Sequence, residues 1–320
     1  MTKVLITRAF IEIDPAEFCE EFDVTLGVPD DYMDRAELFQ HIRDASAVVA
    51  RHDDHINREV MDAAPELKII SNYGAGYETV DVEAATEKGI WVTNTPDVLS
   101  EATADTTLML LLAACRRMFE AESYVRSGKW KVYDPNLFHS THPNGKLLGI
   151  IGMGRIGQAF ARRARALGMQ IIYHNRRRVA DEIEQELGAK YLSLDELLSA
   201  ADIISLHIPL TPETNYMIDK PQFARMKDGV IIINTARGQV VRETALVEAL
   251  KSGKVLSAGL DVYENEPDVH PELLPMKNVT LLPHIGSATR ETRAEMANLA
   301  LENIRLVLNG KRPKTPVNEV

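Results

Sequence analysis

Short apolar runs alternate with amphipathic stretches from one end of this chain to the other. The runs predict strands at residues 4–7, 47–50, 67–71, 90–93, 147–152, 170–175, 202–208, 229–235, 257–262 and 279–283. Several of them, such as Val230-Ile231-Ile232-Ile233, are β-branched and apolar at every position. A strand with only one buried face would alternate, so these runs indicate strands covered on both faces, hence parallel sheets flanked by helices. Helical spacing falls between them, at residues 35–44, 102–117, 155–167, 180–187, 194–200, 242–252 and 291–308. Such alternation predicts a doubly wound α/β architecture. Ser100, followed by Glu101 and Asp105, reads as a helix N-cap with early acids and marks one boundary. A second break falls at 283–289, so the expected domains are 1–99 plus 290–320, and 100–289. Two lobes joined by two crossings imply an interdomain cleft, a common place for ligands.

Within the second domain, Gly152-Met153-Gly154-Arg155-Ile156-Gly157 follows an apolar run and opens a predicted helix. In that context the spacing has a mechanism. Gly152 permits a tight turn, Gly154 lets the backbone approach a pyrophosphate, and Gly157 lets the helix pack on the strand. The helix N-terminus supplies N–H groups and a positive dipole end for the anion. A dinucleotide-binding, Rossmann-type domain is the reading. An NAD site carries an acid at the end of the next strand, on the ribose 2′-hydroxyl. Here that position reads Asn175-Arg176-Arg177-Arg178. A carboxylate would repel a 2′-phosphate, whereas arginines bind one, so Arg176 and Arg177 point to NADP as the preferred cofactor, with NAD possible. Arg178 reads equally as part of a solvated basic run.

Three more segments lie at predicted C-terminal strand ends, where open α/β sheets place their ligand crevice. They are Asn234-Thr235-Ala236-Arg237-Gly238, Gly259-Leu260-Asp261-Val262-Tyr263-Glu264-Asn265-Glu266-Pro267 and Leu282-Pro283-His284-Ile285-Gly286-Ser287. With the glycine fingerprint and Asn72-Tyr73-Gly74-Ala75-Gly76-Tyr77, they make the whole chain resemble the D-isomer-specific 2-hydroxyacid dehydrogenase family. Within it, the basic segment after the second strand is most similar to that of the glyoxylate/hydroxypyruvate reductases. The resemblance implies a flavodoxin-like substrate domain beside the cofactor domain, and reduction of a small 2-oxo acid. Arg237 would clamp the substrate carboxylate bidentately. His284 would give the carbonyl oxygen its proton. Glu266 would accept a hydrogen bond from the other imidazole nitrogen and favour the charged ring; Glu264 reads as solvated. The Ala75 and Gly76 backbone would offer N–H groups to the carboxylate, and Asp261 would meet the nicotinamide carboxamide. The implied cofactor set is Gly152, Gly154, Arg155, Ile156, Gly157, Asn175, Arg176, Arg177, Thr107, Thr235, Ala236, Asp261 and Gly286, with Thr103 or Thr107 open between cofactor contact and packing. Trp130 lies in the segment that dimerises in family members, implying a homodimer; interface or core packing alone would also account for it.

Composition narrows the partners. A formal net charge of -11 repels a phosphate backbone, so nucleic acid is not expected. The two cysteines, Cys19 and Cys115, form no metal-ligand spacing and read as reduced, half-buried side chains. No metal site is expected. The N-terminus reads as a strand rather than a signal segment, and no apolar run approaches a membrane span, so the expectation is a soluble cytoplasmic protein. Two competing readings are an NAD-dependent dehydrogenase of another D-2-hydroxy acid and a dinucleotide-sensing corepressor, which retains an Arg/Glu/His set.

Overall fold

The computed structural model describes residues 1–8, 16–27, 33–51 and 53–320. The chain forms two compact units, Met1–Leu99 with Ala288–Val320, and Ser100–Ser287.

The first unit runs through β1 (Lys3–Ile6), α1 (Ala16–Glu21), β2 (Asp23–Leu26), α2 (Arg35–Ile42), β3 (Ala47–Ala50), α3 (Arg58–Asp62), β4 (Ile69–Asn72), α4 (Val82–Glu87) and β5 (Trp91–Thr93). Its strands are all parallel, in the order β2-β1-β3-β4-β5. That is the flavodoxin-like order.

The second unit contains α5 (Ser100–Arg116), α6 (Met118–Arg126), β6 (Leu147–Ile151), α7 (Arg155–Ala166), β7 (Gln170–His174), α8 (Asp181–Leu187), β8 (Ala189–Tyr191), α9 (Leu194–Ala200), β9 (Ile203–Leu206), α10 (Lys220–Arg225), β10 (Val230–Asn234), α11 (Glu243–Ser252), β11 (Val255–Leu260) and β12 (Val279–Leu281). The seven strands, all parallel, run β12-β11-β10-β9-β6-β7-β8. Strand order reverses between β6 and β9, which makes that junction the switch point of a Rossmann-type sheet. A final helix, α12 (Arg290–Leu308), belongs to the first unit.

The inner strands of both sheets are buried on both faces, as the unbroken apolar runs predict. In β10, Val230 and Ile232 join a cluster with Leu197, Leu246 and Leu250, while Ile231 and Ile233 join one with Leu110, Leu111 and Phe160. In the first unit, Ala300, Leu301, Ile304 and Val307 of α12 close one face over Val4, Ile6, Val49 and Ile69. Of the cysteines, Cys115 is buried in the second unit and Cys19 is exposed, so neither is the half-buried residue expected. No described helix is long and apolar enough to cross a membrane.

Candidate active site

The turn after β6 is one that only glycine fits. Gly152 has φ +102°, and a Cβ there would lie 2.5 Å from the His207 carbonyl oxygen. A Cβ on Gly157 would lie 2.2 Å from the Gly152 carbonyl oxygen, so a hydrogen there lets α7 seat against the turn. Gly154 differs, because a Cβ on it would meet nothing within 4 Å. It is also the N-cap of α7, with no side-chain cap and no acid in the first turn, an end suited to an anion. Exposed Arg155 and half-buried Ile156 begin the helix.

A cavity of about 700 Å³ opens at this switch point. One wall is Ile151, Gly152 and Gly154 with the end of β7, from His174 to Arg177. The other wall is the loop after β9, with His207, Pro209, Thr211, Glu213 and Met217. Asn175 Oδ1 accepts the Met153 N–H at 2.7 Å and fastens the end of β7 to the glycine turn. Arg176 and Arg177 are exposed and make no hydrogen bond or ion pair among the described residues. Arg178 is engaged elsewhere. Its guanidinium forks onto Glu184 at 2.7 and 2.5 Å, and the Tyr173 hydroxyl donates to the same carboxylate at 2.5 Å. Those two donors hold the Glu184 carboxyl down at about 2, and burial pushes the Tyr173 hydroxyl up to about 12. The His207 ring lies 2.9 Å from Ser205 Oγ and packs on Phe160; burial pushes its imidazole down to about 3.

The other chemistry gathers where β10, β11 and β12 end side by side, with Asn234 paired to Leu260 and Leu260 to Leu281. His284 Nδ1 is 2.6 Å from Glu266 Oε2, and the second oxygen of Glu266 accepts the Tyr263 N–H at 2.9 Å. His284 has φ +53°, a conformation that costs a non-glycine residue about 1–3 kcal/mol unless its surroundings fix it. Asp261 supplies that fixation. Its carbonyl accepts the His284 N–H at 2.9 Å, and its carboxylate takes the Ile285 and Gly286 N–H groups, each at 2.8 Å. Burial raises the Asp261 carboxyl above the ordinary range, against the pull of those N–H groups and of His284.

Arg237 follows β10 in an extended conformation, with its Nη1 donating to the Ala236 carbonyl at 2.6 Å. Asn234 braces this turn, accepting the Ala236 N–H at 3.0 Å and donating to the Arg237 carbonyl at 2.9 Å. Gly238 brings it against the Glu266 loop: a Cβ there would lie 1.8 Å from the Tyr263 carbonyl carbon. Glu264 is not simply solvated. It accepts the Glu243 N–H at 2.6 Å, and its own N–H donates to Glu243 at 2.9 Å.

Two expected cofactor contacts lie deeper than the sequence suggests. Thr107 is fully buried, its hydroxyl donating to the Thr103 carbonyl and 2.8 Å from Thr235 Oγ1. Gly286 is buried too, its N–H held by Asp261 and its carbonyl by Thr106. In the first unit, the turn after β4 points its carbonyls inward. Asn72 donates to the Gly76 carbonyl, Asn94 to that of Ala75 and the Thr95 N–H to that of Gly74. The Ala75 and Gly76 N–H groups donate to no acceptor among the described residues. Trp130 is 54% exposed, which excludes core packing for it. The cavity wall after β9 carried no motif; its signal was position alone, the strand beside the reversal of order.

The uncapped helix end, the open space at Gly154 and two uncommitted guanidinium groups fit a dinucleotide. A carboxylate-backed imidazole and an arginine stand at neighbouring strand ends of the same sheet. Together they define a nicotinamide-dependent oxidoreductase. Residues 108–286 match the family described as D-isomer specific 2-hydroxyacid dehydrogenase, NAD binding domain. A glyoxylate reductase of Thermococcus kodakarensis is 48% identical over 99% of this chain and 96% of its own. Among solved structures, a glyoxylate reductase from Paecilomyes thermophila has TM-score 0.89 and 40% identity, covering 99% of this chain and 98% of that one. An NADPH-dependent glyoxylate/hydroxypyruvate reductase from Sinorhizobium meliloti has TM-score 0.85 and 35% identity over 99% and 98%. The chain belongs to the D-isomer specific 2-hydroxyacid dehydrogenase family.

Proposed function

We propose that this enzyme reduces a small 2-oxo acid, of the glyoxylate or hydroxypyruvate type, to the 2-hydroxy acid, with NADPH preferred over NADH. The observation that carries the reading is the 2.6 Å contact of His284 Nδ1 with Glu266, held at the end of β12 next to the Arg237 turn. Glu266 fixes the ring through Nδ1, so Nε2 is the nitrogen that gives the substrate its proton. Arg237 binds the carboxylate of the 2-oxo acid and polarises its carbonyl, with a planar fork that suits that anion. Asp261 holds the backbone that carries His284. A reduced nicotinamide held in the cofactor domain would supply a hydride to C2, and the role of His284 is to give its proton to the carbonyl oxygen, so that the 2-oxo acid becomes the 2-hydroxy acid. In the first unit, the substrate domain of this reading, the Ala75 and Gly76 N–H groups are the donors assigned to a 2-oxo acid carboxylate.

In the cofactor domain, Gly152, Gly154 and the first turn of α7 would hold the pyrophosphate. The preference for NADPH is supported by Arg176 and Arg177, which line the cavity and whose guanidinium groups have no hydrogen-bond or ion-pair partner among the described residues. A charge-assisted hydrogen bond contributes about 1.5–3 kcal/mol. The exposed apolar side chains of Phe119, Val125, Trp130, Val132 and Tyr133 support a homodimer formed through that segment. A panel of 2-oxo acids assayed with NADPH and NADH tests the function. The highest kcat/KM is expected for glyoxylate or hydroxypyruvate with NADPH, and no turnover with any 2-oxo acid would overturn the reading.

A further inference from the structure

The cavity at the switch point has an acid on its far wall. Glu213 lies in the loop after β9 and lines the same cavity as Arg176 and Arg177. The loop is braced: the Thr211 N–H donates to Thr214 Oγ1 at 2.7 Å, and that hydroxyl donates to the Pro209 carbonyl at 2.7 Å. Thr211 Oγ1 donates to Glu213 Oε2 at 2.8 Å, which orients one carboxylate oxygen. Glu213 and Arg176 form no ion pair, so more than 4.0 Å separates their charged atoms. They are nonetheless close enough that Arg176, after the Thr211 hydrogen bond and a backbone one, helps hold the Glu213 carboxyl below its usual range. An acid and two guanidinium groups thus border one space, with a gap between them.

We propose that Glu213 is a specificity-determining residue for the cofactor: its carboxylate accepts a hydrogen bond from the adenosine ribose 2′-hydroxyl of NADH and opposes the 2′-phosphate of NADPH. The end of β7 lacks the acid that would serve the 2′-hydroxyl; Glu213 supplies one from the opposite wall. This rests on the assignment of the cavity to the adenosine end of the cofactor. The chain then accepts both cofactors, with Arg176 and Arg177 favouring one and Glu213 the other, and their balance sets how strict the choice is.

The test is Glu213→Gln in the full chain, with the dissociation constants of NADH and NADPH measured by nicotinamide fluorescence and kcat measured with each. Glutamine keeps the shape but removes the charge and weakens the acceptor. NADH is expected to bind about fivefold more weakly and NADPH about twofold more tightly. Thr211→Val, which frees the carboxylate to turn, is expected to weaken NADH in the same direction by less. Parallel weakening of both cofactors would mean a structural role and overturn the proposal, as would unchanged affinities. Arg176→Ala tests the phosphate assignment separately. If it leaves NADPH affinity unchanged, that assignment falls, whatever Glu213→Gln does to NADH.

Discussion

Gly238 is where the Arg237 turn meets the loop that carries Glu266, and a single methyl group there is expected to separate them. A Cβ at Gly238 would lie 1.8 Å from the Tyr263 carbonyl carbon, 1.9 Å from its oxygen and 2.4 Å from the Glu264 nitrogen. All three are backbone atoms, so no side chain can rotate away. To restore ordinary contact, the two backbones must part by about 1.5 Å. The Tyr263 N–H that holds Glu266 lies on the displaced segment. A misplacement of about 1 Å can cost about 100-fold in rate, so Gly238→Ala is expected to lower kcat/KM for glyoxylate at least 100-fold. Overpacking costs about 1–3 kcal/mol, so the melting temperature is expected to fall by about 2–10 °C while the protein stays folded. The glycine turn after β6 is a separate segment of the sheet, so NADPH affinity is expected to stay within about threefold. Steady-state kinetics, fluorescence binding and thermal melting on one preparation make the comparison. A folded Gly238→Ala enzyme within about threefold of the parent in kcat/KM would refute the argument that this contact sets the register of Arg237 and Glu266.

Gly154→Ala gives the converse result. Its methyl group enters open space, so melting is expected to be unchanged while NADPH affinity falls at least tenfold; unchanged binding would contradict the pyrophosphate assignment. Glu184 governs part of the acid response. Its carboxyl is held near 2 in the fold, below the ordinary value near 4.5, so its ionised form adds stability that is present above about 4.5 and lost as pH falls through 2. Glu184→Gln is expected to be less stable near neutral pH and to lose less further stability between those values. Melting curves with the same pH slope as the parent would argue against that role.

The central strands are legible in the sequence because burial on two faces leaves a run with no polar position, as in β10. The edge strands are not: β2 is partly exposed along its length and β8 has only three residues, so neither carries a run or a clear alternation. The roles of the glycines are legible because turn geometry is local, and the structure gives Gly152 a positive φ and Gly157 a close backbone neighbour. Three adjacent arginines look alike in sequence, yet Arg178 is claimed by Glu184, six residues on, and the other two are not. Glu264 reads as a solvated acid because its partner Glu243 lies on another element, with no local trace of the contact. The wall contributed by the loop after β9 is set by strand order in space, which no window of sequence contains. In sequence Asp261 reads as a cofactor contact, and its support of the strained His284 backbone becomes visible only with the hydrogen bonds in place.

The central claim is that Arg237 and the Glu266-backed His284 act on one substrate carbonyl. Its most direct test is glyoxylate reduction by Arg237→Ala and His284→Gln, each with its NADPH dissociation constant measured in parallel. The account predicts that kcat/KM falls about 1,000-fold or more in both, with cofactor affinity within about threefold of the parent. Either variant retaining more than about a tenth of the parent kcat/KM would contradict it.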